Sequence, residues 1–219
     1  MIAVTGVVKR HRRGAQEFDA IGPIDLTLSP GELVAVVGPS RAGKTTLVGL
    51  LAGWEAPDEG TATWPGAATT PPGWRDVAVV PQALVLLDEL TVAENVTLPH
   101  RLDPAPDWNG AGGALDAVLA ALDLTHLAER GSAEISVGER QRVMVARAVC
   151  GSPRVILADD PTAHQDDRRA ASVVDALTAA AHRGAACLVT TRTPGPLTDS
   201  ADRVVELGWS AAGPSEHRS

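Results

Sequence analysis

Five apolar residues, Leu33 to Val37, run without interruption between Pro30-Gly31-Glu32 and a glycine-bearing loop. A strand that is apolar throughout is buried on both faces, and such strands belong to parallel sheets. Val77 to Val80, 155–157 and 185–190 read the same way, and 203–207 adds one more strand. Helical stretches stand between them. One covers about 44–52 and stops at Gly53. Another covers 139–150, and a third covers 168–181 with Val173, Val174 and Leu177 facing inward. Thr91 opens a short helix, because Glu94 three positions later completes a capping box. Strands alternating with helices predict an α/β chain with a mostly parallel sheet and helices on both faces.

The remainder is less regular. The β-branched stretch 2–8 reads as a strand, 24–28 as a second, and 57–75 as turns around a short strand at 61–64. Prolines, aspartates and glycines mark 102–113 as a loop, after which Leu115, Val118, Leu119 and Leu122 recur at helical spacing. The segment 83–134 therefore reads as an inserted helical lobe. The tail from Gly213 is polar and expected to fray.

Composition narrows the class. A chain of 219 residues suits one domain with room for a small helical insert. At 44% hydrophobic and 21% charged it reads as a soluble globular protein able to bury a core. The formal net charge of -8 argues against a nucleic-acid partner. The one basic run, Lys9-Arg10-His11-Arg12-Arg13, reads as a solvated turn, with a phosphate or lipid contact as the alternative. No stretch is long and apolar enough to span a bilayer, and the N-terminus lacks the pattern of a signal peptide. Cys150 and Cys187 stand in apolar surroundings without metal-ligand spacing, as buried free thiols in a reducing compartment do.

The sharpest chemical signal is Gly38-Pro39-Ser40-Arg41-Ala42-Gly43-Lys44-Thr45. It matches G-x-x-x-x-G-K-[ST] in the required place, after a buried strand and before a helix. Backbone N–H groups of such a loop cradle phosphates, here from Gly38 through Thr46. Lys44 would reach the β and γ phosphates and Thr45 would ligate Mg²⁺. Asp159 closes the strand that begins at Val155, where a carboxylate paired with such a loop holds Mg²⁺. Asp160 follows, placed to polarise an attacking water. Ser136 stands where a helix N-cap belongs, with Glu139 three residues on, and a capped helix N-terminus is an anion site.

In this order the motifs resemble those of the ATP-binding subunits of ABC transporters, nearest in flavour to the subfamily that serves lipoprotein release and macrolide export. The likeness spans nearly the whole chain. Gly38 to Thr45 resembles the Walker A loop and Gln82 the Q-loop glutamine, which senses Mg²⁺ and the water. Ser136-Val137-Gly138-Glu139-Arg140-Gln141-Arg142 resembles the signature that meets the γ-phosphate held by a second subunit. Val155 to Asp160 resembles the Walker B strand, and Ala163-His164-Gln165-Asp166 the D-loop. The resemblance implies a P-loop NTPase core over about 1–82 and 152–208, with an N-terminal antiparallel β part. It implies a helical signature subdomain over about 83–151. It implies ATP and Mg²⁺ as ligands, with Thr45, Gln82 and Asp159 on the metal. The partners implied are a transmembrane permease and a second ATP-binding subunit, identical or different, on the cytoplasmic face of the membrane. The permease contact is expected within 84–98.

The likeness also exposes departures. Asp160 stands where the family has a glutamate, one methylene longer, and a misplacement of about 1 Å can cost about a hundredfold in rate. Thr191 stands at the histidine that contacts the γ-phosphate, with Arg192 beside it as a possible source of charge. Val137 replaces the signature's first glycine and is expected to crowd the loop, and Arg41 replaces a Walker A glycine. No tyrosine is present to stack on adenine, so His11, Arg12 or Arg13 would take that place, with Phe18 a distant candidate. Together these changes imply slow hydrolysis. Two other readings are a regulatory ATP-binding module with little turnover and the degenerate half of an unlike pair.

Overall fold

The computed structural model describes residues 2–14, 16–64, 71–102 and 111–208, with Arg13, Gln16 and 111–113 described by backbone alone. The turns expected over 65–70, the loop over 103–110 and the tail over 209–219 lie outside the described residues.

Two sheets are present. Strands β1 (Ile2–Arg13), β2 (Gln16–Leu28) and β4 (Glu59–Thr63) form an antiparallel sheet in the order β2-β1-β4. Strands β3 (Leu33–Val37), β5 (Val77–Val80), β6 (Val155–Asp159), β7 (Ala186–Thr191) and β8 (Arg203–Glu206) form a parallel sheet in the order β5-β6-β7-β3-β8. The expected α/β class and antiparallel N-terminal part are both present.

The apolar strands are buried on both faces for a visible reason. Leu33, Ala35, Ile156, Ala158, Cys187 and Val189 pack into one core, while their neighbours Val34, Val36, Val155, Leu157, Ala186 and Leu188 pack into another. The second core holds helix α1 (Lys44–Leu51) against the antiparallel sheet through Ile2, Val4, Leu26 and Leu28. The first holds α4 (Val137–Cys150) and α5 (Asp167–His182), and it continues into α2 (Val92–Leu102) and α3 (Ala111–Ala121). Helix α1 ends where expected, with Gly53 at φ 70 donating its N–H back to Leu50. A four-residue helix α6 (Pro196–Asp199) leads to β8. Both cysteines are free and buried, and burial pushes their thiols up to about 11 for Cys150 and about 12 for Cys187.

The hairpin departs from expectation. β1 and β2 extend well beyond 2–8 and 24–28, so Lys9 to Arg13 lies in a strand and not in a solvated turn. Cross-strand charge explains this. Arg10 pairs with Asp19 at 3.3 Å and with Glu59, Arg12 with Glu17 at 3.7 Å, and Lys9 with Asp58 at 3.3 Å. Cations matched to carboxylates in this way are poor candidates for lipid or phosphate.

Candidate active site

The end of β3 delivers the chain into the glycine-bearing loop. Gly38 donates its N–H to the Thr191 carbonyl at 3.2 Å, which ties the loop to the end of β7. Ala42 N–H donates to the Pro39 carbonyl at 3.2 Å and closes a turn. Arg41 (φ 69) and Gly43 (φ 90) both take the left-handed conformation, the kind of turn that aims successive N–H groups at one anion. Only glycine fits at position 43, since any side chain would run into the Ala20 carbonyl on β2. Arg41 holds the same conformation at a cost of about 1–2 kcal/mol, a strain the family's glycine would avoid. Pro39, Ser40, Arg41 and Thr45 are exposed around the loop, while Ala42, Lys44 and Thr46 are buried under it.

Lys44 Nζ donates to the carbonyls of Gly38 (2.6 Å) and Pro39 (2.9 Å), so the loop's cation lies folded along its own cradle. Burial pushes the Lys44 ammonium below its ordinary value, against the opposing pull of Asp159 and Asp160. Asp159 is 3% exposed and fixed at both oxygens: Thr45 Oγ1 donates to Oδ2 at 2.6 Å, and Thr190 Oγ1 donates to Oδ1 at 2.5 Å. Thr45 and Asp159 make a hard-oxygen pair, and Mg²⁺ binds proteins through one or two such groups plus substrate phosphates. Among the described residues no cluster of three or more His, Cys, Asp or Glu could hold a metal by itself.

Asp160 is also buried, at φ 52. Its N–H donates to Thr190 Oγ1 at 3.0 Å, its carbonyl accepts from Gln141 Nε2 at 2.9 Å, and its Oδ2 accepts from Arg192 Nε at 3.1 Å. Thr191 is buried, and its hydroxyl donates to the Thr193 carbonyl at 3.1 Å. Gln82 is exposed in the bend after β5, and among the described residues no hydrogen bond ties it to Thr45 or Asp159.

Ser136 caps α4 as expected. Its hydroxyl accepts from Glu139 N–H at 3.3 Å, and Glu139 Oε2 accepts from Ser136 N–H at 2.7 Å. Burial raises the Glu139 carboxyl, but the hydrogen bonds from Ser136 outweigh it and hold the group below its ordinary value. Gly138 is needed for close approach: a side chain there would meet the His164 carbonyl at 2.8 Å. Gln165 joins the two segments, donating to the Gly138 carbonyl at 2.8 Å and accepting from Arg142 at 2.9 Å. Val137 is the first residue of α4 and is 48% exposed at the helix end.

Phe18 is not distant from His11. The two are register partners across β1 and β2, with ring centroids 6.2 Å apart at 87°. Phe18 is 46% exposed and two residues from Ala20, the residue that touches Gly43. Arg12 pairs with Glu17, and the Arg13 side chain lies outside the described residues. The sequence alone does not place Thr190 in the site, nor does it show that Gln141 and Arg192 both hold Asp160.

The sequence pattern of the ABC transporter family matches residues 21–163. The chain belongs to the ABC transporter family. It is similar to the lipoprotein-releasing system ATP-binding protein LolD of Granulibacter bethesdensis, 37% identical over 211 residues, with 92% of this chain and 91% of that protein covered. LolD of Paramagnetospirillum magneticum is 32% identical over 215 residues, covering 94% of each. Among solved structures, the dimeric bacterial ABC transporter cassette MJ0796 superposes with a TM-score of 0.82 at 25% identity, over 95% of this chain and 94% of that one. As an ABC cassette this chain is an ATP-binding ATPase. Among the described residues no helix is long and apolar enough to cross a membrane.

Proposed function

We propose that this chain binds MgATP at the Gly38–Thr46 loop and hydrolyses it slowly within a head-to-tail dimer that powers a membrane permease. The observation that carries the reading is the Thr45–Asp159 junction, which joins the P-loop to the end of β6 beside a buried lysine. Loop N–H groups bind the phosphates, and Lys44 exchanges the carbonyls of Gly38 and Pro39 for phosphate oxygens. Thr45, Asp159 and Gln82 would hold Mg²⁺, whose charge would offset that of the phosphates. Asp160 accepts the proton of the attacking water. Ser136, Gly138 and Glu139 at the start of α4 meet the γ-phosphate held by the second subunit, while Thr191 serves the γ-phosphate bound at this chain's own P-loop. His11 and Phe18 form the adenine side, where the family resemblance also calls for Arg13.

The permease contact falls within 84–98. Leu84 and Leu86 pack inward there, while Val85 (48% exposed) and Leu87 (47% exposed) point out as apolar contacts. The cassette thus sits peripherally on the cytoplasmic face. We read the direction of work as export, the sense in which the LolD relatives are named for lipoprotein release.

A reading with little turnover, as a regulatory subunit or as the degenerate half of an unlike pair, draws on Asp160 and Thr191. Their side chains are engaged by Arg192 and by the Thr193 carbonyl. Phosphate release by the purified chain, with Lys44→Ala as control and nucleotide binding measured in parallel, separates the readings. Turnover lost in Lys44→Ala supports the ATPase, binding without turnover supports the degenerate half, and no binding sinks both.

A further inference from the structure

Arg192 follows β7 and its side chain is 57% exposed, so the core does not depend on it. Its Nε nevertheless lies 3.1 Å from Asp160 Oδ2, on a carboxylate side chain only 10% exposed. That bond occupies one donor of five. Among the described residues neither Nη nitrogen of Arg192 has a hydrogen-bond or ion-pair partner. The guanidinium is therefore anchored at one end with its planar fork open, the arrangement that recognises phosphate oxygens in pairs.

The place of Arg192 beside the P-loop follows from the chain: the carbonyl of the preceding residue, Thr191, accepts from the Gly38 N–H at 3.2 Å. The neighbouring hydroxyl does not compete for a phosphate oxygen, because Thr191 Oγ1 is spent on the Thr193 carbonyl.

We propose that Arg192 is a catalytic residue of this ATPase, contacting the terminal phosphate of ATP through its Nη fork while Asp160 holds its Nε. The inference rests on the ATP-binding reading above. No bond to Arg192 forms or breaks. Its charge opposes the negative charge that builds on the γ-phosphate oxygens as the bond to ADP lengthens and water attacks. Asp160 then has two tasks, taking the water's proton and fixing the plane of the guanidinium.

The test compares equilibrium binding of Mg²⁺ with the non-hydrolysable analogue adenylyl imidodiphosphate and of MgADP, alongside phosphate release from MgATP. It uses the full chain and its Arg192→Ala and Arg192→Lys variants. A contact to the terminal phosphate predicts that Arg192→Ala weakens the triphosphate analogue by about tenfold, as loss of one charge-assisted hydrogen bond does, and leaves MgADP within about twofold. Phosphate release falls in parallel, and Arg192→Lys recovers part of both. Equal weakening of the two nucleotides would mark a structural role and overturn the proposal. Unchanged binding, or faster phosphate release in Arg192→Ala, would overturn it too, the latter showing that Arg192 merely restrains Asp160. If the unmodified chain binds neither nucleotide, the ATP-binding reading itself falls.

Discussion

The Thr45 hydroxyl donates to Asp159 Oδ2 at 2.6 Å, joining residues 114 positions apart in the sequence. Thr190 takes the other oxygen at 2.5 Å, so the Asp159 carboxylate is fixed from both sides. Thr45→Val keeps the shape and removes one oxygen. Asp159 retains its bond from Thr190, so the folding cost is about 1 kcal/mol, the ordinary worth of a hydrogen bond. Nucleotide affinity in the presence of Mg²⁺ falls by about tenfold, as expected for one lost metal contact, while affinity in excess chelator is unchanged. Fluorescent-nucleotide titrations in the two conditions check this, and equal losses in both would remove Thr45 from the metal site.

Ser136 and Glu139 close a reciprocal cap on α4, and Ser136 is exposed. Ser136→Ala removes the cap at a cost of about 1 kcal/mol, visible as a lower denaturation midpoint. If Ser136 also meets a phosphate on the second subunit, the variant fails to dimerise with ATP under conditions where the parent does. Light scattering with and without MgATP measures that, and ATP-driven dimers in the variant would confine Ser136 to capping.

What could be read from the chain alone follows from how local each cause is. The P-loop and the α4 cap were legible because a fixed spacing within one short segment sets each of them. The buried parallel strands were legible because β3, β6 and β7 alternate between two cores and so are apolar until β6 and β7 reach the site at Asp159, Thr190 and Thr191. The charged half of the first hairpin was not, since Arg10 and Lys9 find their carboxylates on β2 and near β4, not beside them in sequence. The anchoring of Asp160 was hidden for the same reason. Gln141, Thr190 and Arg192 reach it only because β6 and β7 are neighbours and α4 packs beside them. The pairing of His11 with Phe18 likewise depends on the β1–β2 register.

His100 on α2 gives the fold a pH dependence. Burial lowers its imidazole from the ordinary 6.5 to about 4. Between those values the unfolded chain binds a proton that the folded chain refuses. Stability therefore rises with pH across that window and falls on acidification from about 6.5 toward 4. Above the window His100 contributes no slope. Urea midpoints measured at steps through this range should drop less for His100→Gln than for the parent. Parallel drops would assign the acid lability to carboxylates instead.

Asp160 combines a left-handed backbone, φ 52, with a short carboxylate already held by Arg192. Aspartate accepts that backbone region more readily than most residues, which lowers the strain of the site. The same choice makes the carboxylate one methylene shorter than a glutamate. If reach toward the water limits turnover, Asp160→Glu speeds phosphate release, by as much as about a hundredfold for a correction of about 1 Å. Binding of MgADP should not move, because Asp160 touches neither the P-loop cradle nor Thr45. The half-exposed Arg192 side chain has room to follow the longer carboxylate and keep its bond. Steady-state phosphate release under saturating MgATP decides the matter. A rate that stays flat with the nucleotide bound would show that the carboxylate's length is not what slows the reaction, and would move the limit to position 191, where a threonine spends its hydroxyl on Thr193.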